Sequence, residues 1–316
     1  MNGIPVLDHD TVTGLLGHPG AADALAGALR DGLDPERCPD RSTVQVPAGQ
    51  LLLMPAAWGP YTGVKIAGVA PGNPAAGLPR ITGGYLLLDG PTLQPLALLD
   101  GAALTTLRTP AVSALAVRLL ATPGSHRLVL FGAGPQARGH LRALRSERPL
   151  DRVTVVTRAP EPAESLAAYA RTLGMDAGPG TPESVAGADL VVCCTTAREP
   201  LFDGRLIGDD TTVVAVGSHE PDARETDTAL VRSSAVFVEG RTAALHEAGD
   251  LIIPQAEGVI GRDHVAGTLA DLVTGRTPVP ADRPRLFKSV GMAWEDLVIA
   301  AEVYRRWAAG PPGAPA

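Results

Sequence analysis

Six consecutive residues near the middle of the chain have the types and spacing to bind a dinucleotide. Gly132-Ala133-Gly134-Pro135-Gln136-Ala137 reads G-x-G-x-x-A, the turn that joins a strand to a helix in nucleotide-binding βαβ units. Gly132 permits the tight turn, Gly134 lets the backbone approach a pyrophosphate, and Ala137 lets the helix pack close to the strand. Pro135 suits the first helical turn, where its missing N–H costs nothing. The free N–H groups and dipole of that helix then face an anion. A plain tight turn can show the same glycines. The setting favours the nucleotide: a strand-like run at 128–131 precedes the turn, a helix-like segment follows to about 147, and a second strand-like run covers 153–156.

The end of that second run chooses between cofactors. An acidic residue roughly 20 positions or slightly more past the turn would bind a ribose 2′-hydroxyl and favour NAD. Thr157-Arg158 stands there instead. Arg158 can pair with a 2′-phosphate, which gives an expectation of NADP(H) preferred with NAD(H) still possible; the alternative is a solvated loop arginine. Three further cations, Arg41, Lys65 and Arg108, lie in apolar or strand-edge settings before the turn. A carboxylate ligand needs cations of this kind, and planar Arg grips one bidentately. Each also fits a surface charge or a structural ion pair, and strand alternation leaves the face of Lys65 open.

Bulk composition narrows the class. With 316 residues the chain is long enough for two domains with sizeable cores. It is 45% hydrophobic and 19% charged, which excludes a disordered or collagen-like chain. Aromatics are only 3%, so the cores must be built from Ala, Val and Leu. A net charge of −7 without any basic run speaks against nucleic acid as a partner. No apolar run approaches the ~20 residues of a membrane helix, and no secretory signal pattern is evident. The three cysteines, Cys38 and the adjacent Cys193-Cys194, give neither a disulfide framework nor metal-ligand spacing. Reduced thiols in a cytoplasmic protein, with no metal, are the expectation.

The elements around these residues follow from periodicity. Residues 8–30 carry apolar side chains at three- and four-residue spacing, as one or two amphipathic helices do. Strand-like runs follow at 42–46, 51–54, 61–67, 85–88 and 96–99, with a Pro- and Gly-rich loop over 70–79. The first ~100 residues thus read as a mainly antiparallel sheet with a leading helix, and 104–121 as a long helix. Beyond Arg158 a helix at 161–173 and apolar strands at 188–194, 211–216 and 235–239 continue a βα alternation. Continuous apolar strands mean a sheet covered on both faces and mostly parallel. Residues just past the C-terminal ends of such strands line the ligand crevice. That rule nominates Thr195, Thr196, Gly217, Ser218 and His219 beside the glycine turn. The tail at 293–307 reads as an amphipathic helix, and 310–316 as disordered.

Several segments, in order, resemble the ornithine cyclodeaminase/μ-crystallin family. They are Val64-Lys65; Pro71-Gly72-Asn73-Pro74 through Gly77-Leu78-Pro79; Asp100-Gly101 with Leu104-Thr105 and Leu107-Arg108-Thr109; Ser113-Ala114-Leu115-Ala116; the glycine turn with His140; Val216-Gly217-Ser218-His219 with Pro221-Asp222 and Glu225; and Leu286-Phe287-Lys288-Ser289-Val290-Gly291 with Glu295-Asp296-Leu297. The resemblance covers nearly the whole chain. It implies an α/β fold in which a Rossmann dinucleotide-binding domain, 119–292, is inserted into an α+β substrate-binding and dimerisation domain built from both chain ends, 1–118 and 293–316. It implies a homodimer acting on a small α-amino or α-imino acid. It implies that Arg41, Lys65 and Arg108 hold the substrate carboxylate, with Lys65 placed to move a proton. It also makes Lys288 and Gly291 cofactor contacts.

Two residues depart from the cyclodeaminases of that family. They carry an Asp where this chain has His219, and a His is a poor holder of an ammonium group although it can shuttle a proton. Arg80 replaces a small polar residue and reads as solvated. Cys193-Cys194 reads as an inert strand end, and Asp222 and Glu225 as a turn and a helix start. The expected activity is NAD(P)H-dependent reduction of an α-imino acid or cyclic ketimine, or the reverse amino acid dehydrogenation. Ornithine or lysine cyclodeamination with recycled NAD, and non-catalytic binding of a small ligand beside NADP, are the alternatives.

Overall fold

The computed structural model describes residues 3–310, so all but the first residue of the expected disordered tail lies outside the described residues. The chain divides into two compact units, one of residues 1–108 and 292–316 and the other of Thr109–Gly291. The division falls inside one helix, ten residues before the expected 118/119 boundary, and one residue before the expected 292/293 return. Helical periodicity runs unbroken through the first of these points, so nothing in the local pattern marks it.

The first unit contains β1 (Val6–Leu7), α1 (His9–Leu15), α2 (His18–Arg30), β2 (Ser42–Val46), β3 (Gly49–Trp58), β4 (Tyr61–Val69), β5 (Ile81–Asp89) and β6 (Pro95–Asp100). The strands form one sheet in the order β1-β6-β5-β4-β3-β2, antiparallel except for the β1–β6 pair. The helix α3 (Gly101–Leu120) leaves this unit for the second.

The second unit continues with β7 (Arg127–Phe131), α4 (Pro135–Leu144), β8 (Arg152–Val156), α5 (Pro160–Thr172), β9 (Asp176–Pro179), β10 (Leu190–Cys193), β11 (Thr212–Ala215), α6 (Thr228–Ser233), β12 (Ala235–Val238), α7 (Arg241–Glu247), α8 (Gly249–Ala256), β13 (Val265–Thr268), α9 (Leu269–Val273) and β14 (Arg285–Lys288). Its eight strands are all parallel, in the order β13-β12-β14-β11-β10-β7-β8-β9. The connections reverse direction between β7 and β10, the switch point where open α/β sheets bind ligands. Val129, Val191, Val213, Val236 and Leu286 fill the core beside the sheet. The last helix, α10 (Ala293–Ala309), returns to the first unit and packs on β3, β4, β5 and α2, with Trp294, Leu297, Ile299 and Val303 buried around it. No helix among the described residues is long and apolar enough to cross a membrane.

One carboxylate starts the parallel sheet. Asp189 accepts from the backbone N–H groups of His126 and Arg127 at 2.9 Å and from the Arg127 guanidinium at 2.6 Å. Burial pushes this carboxyl up, but those donors outweigh it and hold it at about 2. Its folded value lies below the unfolded one, so its contribution is full above about pH 4 and is lost as pH falls towards 2. Asp189→Asn should cost about 1 kcal/mol at pH 7 after solvent screening, roughly 2 °C in Tm. Thermal melts at pH 7 and pH 2.5 check this: the gap between variant and parent should shrink to roughly a third at the lower pH.

Candidate functional site

Alternation along β4 settles the face of Lys65. Gly63, Lys65, Ala67 and Val69 point inward and are buried, while Ile66 is exposed. The inward face is the one that α10 covers. Lys65 Nζ donates to Asp296 Oδ1 at 3.0 Å, and Arg108 Nη1 donates to Glu295 Oε2 at 2.8 Å. Arg108 Nε lies 3.6 Å from the same Asp296 oxygen, so Asp296 links the two cations. Lys65 and Arg108 are 3% and 7% exposed, and both acids are fully buried. Burial pulls the Lys65 ammonium down, and the Asp296 charge opposes it without restoring the ordinary value. Glu295 and Asp296 sit in the first turn of α10, where the helix dipole favours carboxylates.

Tyr85 completes the floor. It stands directly across from Lys65 on β5 and is fully buried. Gly63 makes room for its ring, because a Cβ there would meet the tyrosine hydroxyl. Of the three expected carboxylate anchors, Lys65 and Arg108 are thus brought together through Asp296. Arg41 is half-buried just before β2. Arg80 is exposed, as its solvated reading requires.

The second unit carries the nucleotide features. Gly132 has φ +99°, and a Cβ on it would stand 2.6 Å from the Cys194 carbonyl. Gly134 is the N-cap of α4 with no side-chain cap, Pro135 follows at the first helical position, and a Cβ on Gly134 would meet nothing within 4 Å. An uncapped helix N-terminus with open space before it fits a pyrophosphate. Ala133 and Gln136 are half-buried and Ala137 is fully buried. Thr157 is half-buried and Arg158 exposed, directly after β8. His140, the family-like residue on α4, is buried and bonds Ser113 Oγ and the Gln136 carbonyl, both at 2.8 Å. Burial pushes the Cys193 thiol well up, in keeping with an inert strand end.

A chain of buried charges holds the strand ends. Glu225 Oε1 accepts from Thr195 N and Oγ1 at 2.8 and 2.7 Å, and Oε2 accepts from Gly217 N at 2.7 Å. Asp250 Oδ1 accepts from the N–H groups of Glu225 and Thr226 at 2.9 and 2.8 Å. Lys288 lies 3.0 Å from Asp250 Oδ2 and donates to the Ser218 carbonyl at 2.7 Å. Glu239 accepts from the N–H groups of Val290 and Gly291, both at 2.9 Å. Burial pushes the Glu225 carboxyl up against the pull of Lys288, while Lys288 and Thr226 outweigh burial at Asp250 and hold it down.

These bonds change the roles of two residues. Glu225 does not start a helix: Asp227 caps α6, and Glu225 is a fully buried staple between two strand ends. Lys288 is fully buried and donates to the Ser218 carbonyl. Thr196 is exposed, His219 is half-buried and Asp222 is an exposed partner of Arg198. Asp250, Glu239, Glu295 and Asp296 had no expected role at the site. Their signal was present as acids inside apolar helical or strand-end runs, such as Asp250 before Leu251-Ile252-Ile253 and Asp296 before Leu297-Val298-Ile299.

Comparison with known proteins identifies the family. Residues 22–311 match the ornithine cyclodeaminase/mu-crystallin family model. A Delta(1)-pyrroline-2-carboxylate reductase of Paracoccus denitrificans is 33% identical over 306 residues, covering 95% of this chain and 96% of its own. The solved Delta(1)-pyrroline-2-carboxylate reductase of Thermococcus litoralis, in complex with NADH and L-proline, superposes with a TM-score of 0.92 at 31% identity, over 97% of this chain and 98% of its own. An archaeal alanine dehydrogenase dimer with bound NAD gives a TM-score of 0.92 at 26% identity, over 98% of both chains.

The two glycines of the turn separate fold from binding. Gly132→Ala forces a left-handed backbone and a clash, and should cost about 2 kcal/mol of stability. Gly134→Ala should leave Tm unchanged and weaken nicotinamide dinucleotide binding tenfold or more. Thermal melts with and without the dinucleotide check both. Equal binding by parent and Gly134→Ala would remove the turn from the cofactor site.

Proposed function

The chain belongs to the ornithine cyclodeaminase/mu-crystallin family, and on that premise we propose that it is an NAD(P)H-dependent reductase of a small α-imino acid or cyclic ketimine. The observation that carries this reading is the buried pair Lys65 and Arg108, both cations locked to the first turn of α10. A buried Lys can both hold and release a proton, and a buried Arg keeps its charge. Arg108, with Arg41, grips the substrate carboxylate. Lys65 Nζ gives a proton to the imine nitrogen, and the amine product leaves with it. When bound, a reduced nicotinamide supplies the hydride that reaches the imine carbon. The turn at Gly132–Ala137 seats its pyrophosphate on the α4 N-terminus. The backbone of Thr195, Gly217 and Ser218, held by Glu225 and Lys288, lines its nicotinamide end. His219 stands where a cyclodeaminase uses Asp, and it favours reduction over ammonia release.

Arg158 favours NADPH, since it is an exposed cation just past the second strand, where an NAD enzyme places an acid. A homodimer is supported by the outward face of the six-stranded sheet. Val6, Val44, Ile66 and Leu98 stand there 70%, 46%, 45% and 42% exposed, on the face opposite Lys65 and α10. Association covers such an apolar face. The three unpaired thiols suit a reducing compartment, the cytoplasm.

The test uses NADPH and NADH with pyrroline-2-carboxylate, piperideine-2-carboxylate, and pyruvate plus amines, beside ornithine with NAD. Oxidation of NADPH with at least one imine, without ammonia from ornithine, is the expected result. Arg158→Ala should raise KM for NADPH about tenfold, or about 1.4 kcal/mol, and leave KM for NADH within twofold. Ammonia release from ornithine with no imine turnover would overturn the reductase assignment.

A further inference from the structure

Only two of the chain's 27 Lys and Arg residues are lysine, Lys65 and Lys288. Both are buried, and each lies 3.0 Å from an aspartate. Everywhere else the chain meets its need for a cation with Arg, which cannot release a proton in a protein. Lys288 uses its donors on Asp250 and the Ser218 carbonyl. Lys65 differs. Its ammonium has three N–H donors, and its one acceptor among the described residues is Asp296. Two donors therefore remain for a substrate.

The two acids of α10 differ in their nearest cation, Asp296 reaching Arg108 only at 3.6 Å. Asp296 takes Lys65, and Glu295 takes Arg108. The second Asp296 oxygen, Oδ2, is buried with no hydrogen-bond partner. A native structure rarely leaves such an atom orphaned, and where it does a functional reason is common. The ionisable groups facing Lys65 are Asp296 and Glu295 from α10, Arg108 from α3 and Tyr85 from β5, with Cys38 one step out beside the two acids. Among them Asp296 is the largest influence that favours the ammonium form, against burial.

We propose that Asp296 is the positioning residue that keeps Lys65 in place and loaded with its proton, while Glu295 keeps Arg108 aimed, so that two neighbouring acids separately govern proton delivery and carboxylate binding. This rests on the reductase reading for its kinetic consequences only. Lys65 donates when protonated, so turnover falls as pH rises through its pKa. Removing the Asp296 charge leaves burial less opposed, and the alkaline limb moves to lower pH.

Asp296→Asn, Asp296→Glu and Glu295→Gln in the full chain test the division. Asp296→Asn should shift the alkaline limb of kcat down by at least one pH unit and lower kcat tenfold or more at pH 8, with KM for the imine within threefold. Asp296→Glu should keep the limb near its parent position. Glu295→Gln should raise KM about tenfold with the limb in place. A purely structural role would instead lower Tm and leave the limb where it is. A readout independent of turnover is at hand, because lysine labelled with 13C at Cε gives only two resonances, assigned with Lys65→Met. The Lys65 signal should titrate at lower pH in Asp296→Asn than in the parent. Unchanged titration in the folded variant overturns the proposal, whatever the substrate proves to be. Parent protein that turns over no imine overturns only the reductase reading.

Discussion

A cation taken out of water must bring an anion with it, and both halves of the candidate site follow from that constraint. Lys65 and Arg108 are buried with Asp296 and Glu295, and Lys288 with Asp250. Such pairs add little to stability. The desolvation of each ion costs several kcal/mol, and the attraction only roughly repays it. The net stabilisation around Lys65 comes instead from its apolar surroundings. Leu297, Ile299 and Val303 of α10 are essentially fully buried, at roughly 1.5–3 kcal/mol each. Isosteric apolar side chains would serve the fold equally well. On the reductase reading proposed above, the charges serve what the cations can do, and the acids hold them in position to do it.

The parallel sheet shows the same logic with backbone groups. A nucleotide crevice at the C-terminal strand ends needs loops that stay put, yet loops are the mobile part of a fold. Here buried carboxylates replace the missing ladder bonds. Glu225 ties the end of β10 to the end of β11, and Glu239 ties the segment after β14 to the end of β12. Lys288 and Asp250 join the Ser218 carbonyl to the same network. Each carboxylate takes two or more donors, so its charge is neutralised by geometry that also fixes a loop. Sites held in this way need little reorganisation when a ligand binds.

The sequence made the nucleotide half legible because its signals are local. The glycine turn, the apolar runs of β7, β8, β10, β11 and β12, and the missing acid after β8 can each be read within a few residues. Short strands were harder. Residues 176–179 and 265–268 contain Gly or Pro and have too few apolar residues to show a period. Residues 285–288 begin and end with cations, although all four are buried. Arg285 offsets part of the usual penalty by donating to the Asp209 and Asp210 carbonyls, which no pattern reveals. The substrate half was legible only through family resemblance. In the sequence alone the strand pattern leaves the face of Lys65 open, and the acids that complete the cluster lie far along the chain.

That distance has a consequence for assembly. Lys65 and Asp296 are 231 residues apart, and Arg108 and Glu295 are 187 apart. The intervening residues 109–291 form a unit with its own core and its own parallel sheet. Until α10 arrives, β4 and the start of α3 have two cations and no buried acid to neutralise them. Burying Lys65 at that stage would leave an uncompensated charge in an apolar floor, at a cost of several kcal/mol. Burial of that face without this cost therefore requires the C-terminal helix in place. The same helix both covers the core and pairs the cations. The chemistry of the cluster is thus tied to the completeness of the first unit, and neither chain end can form it alone.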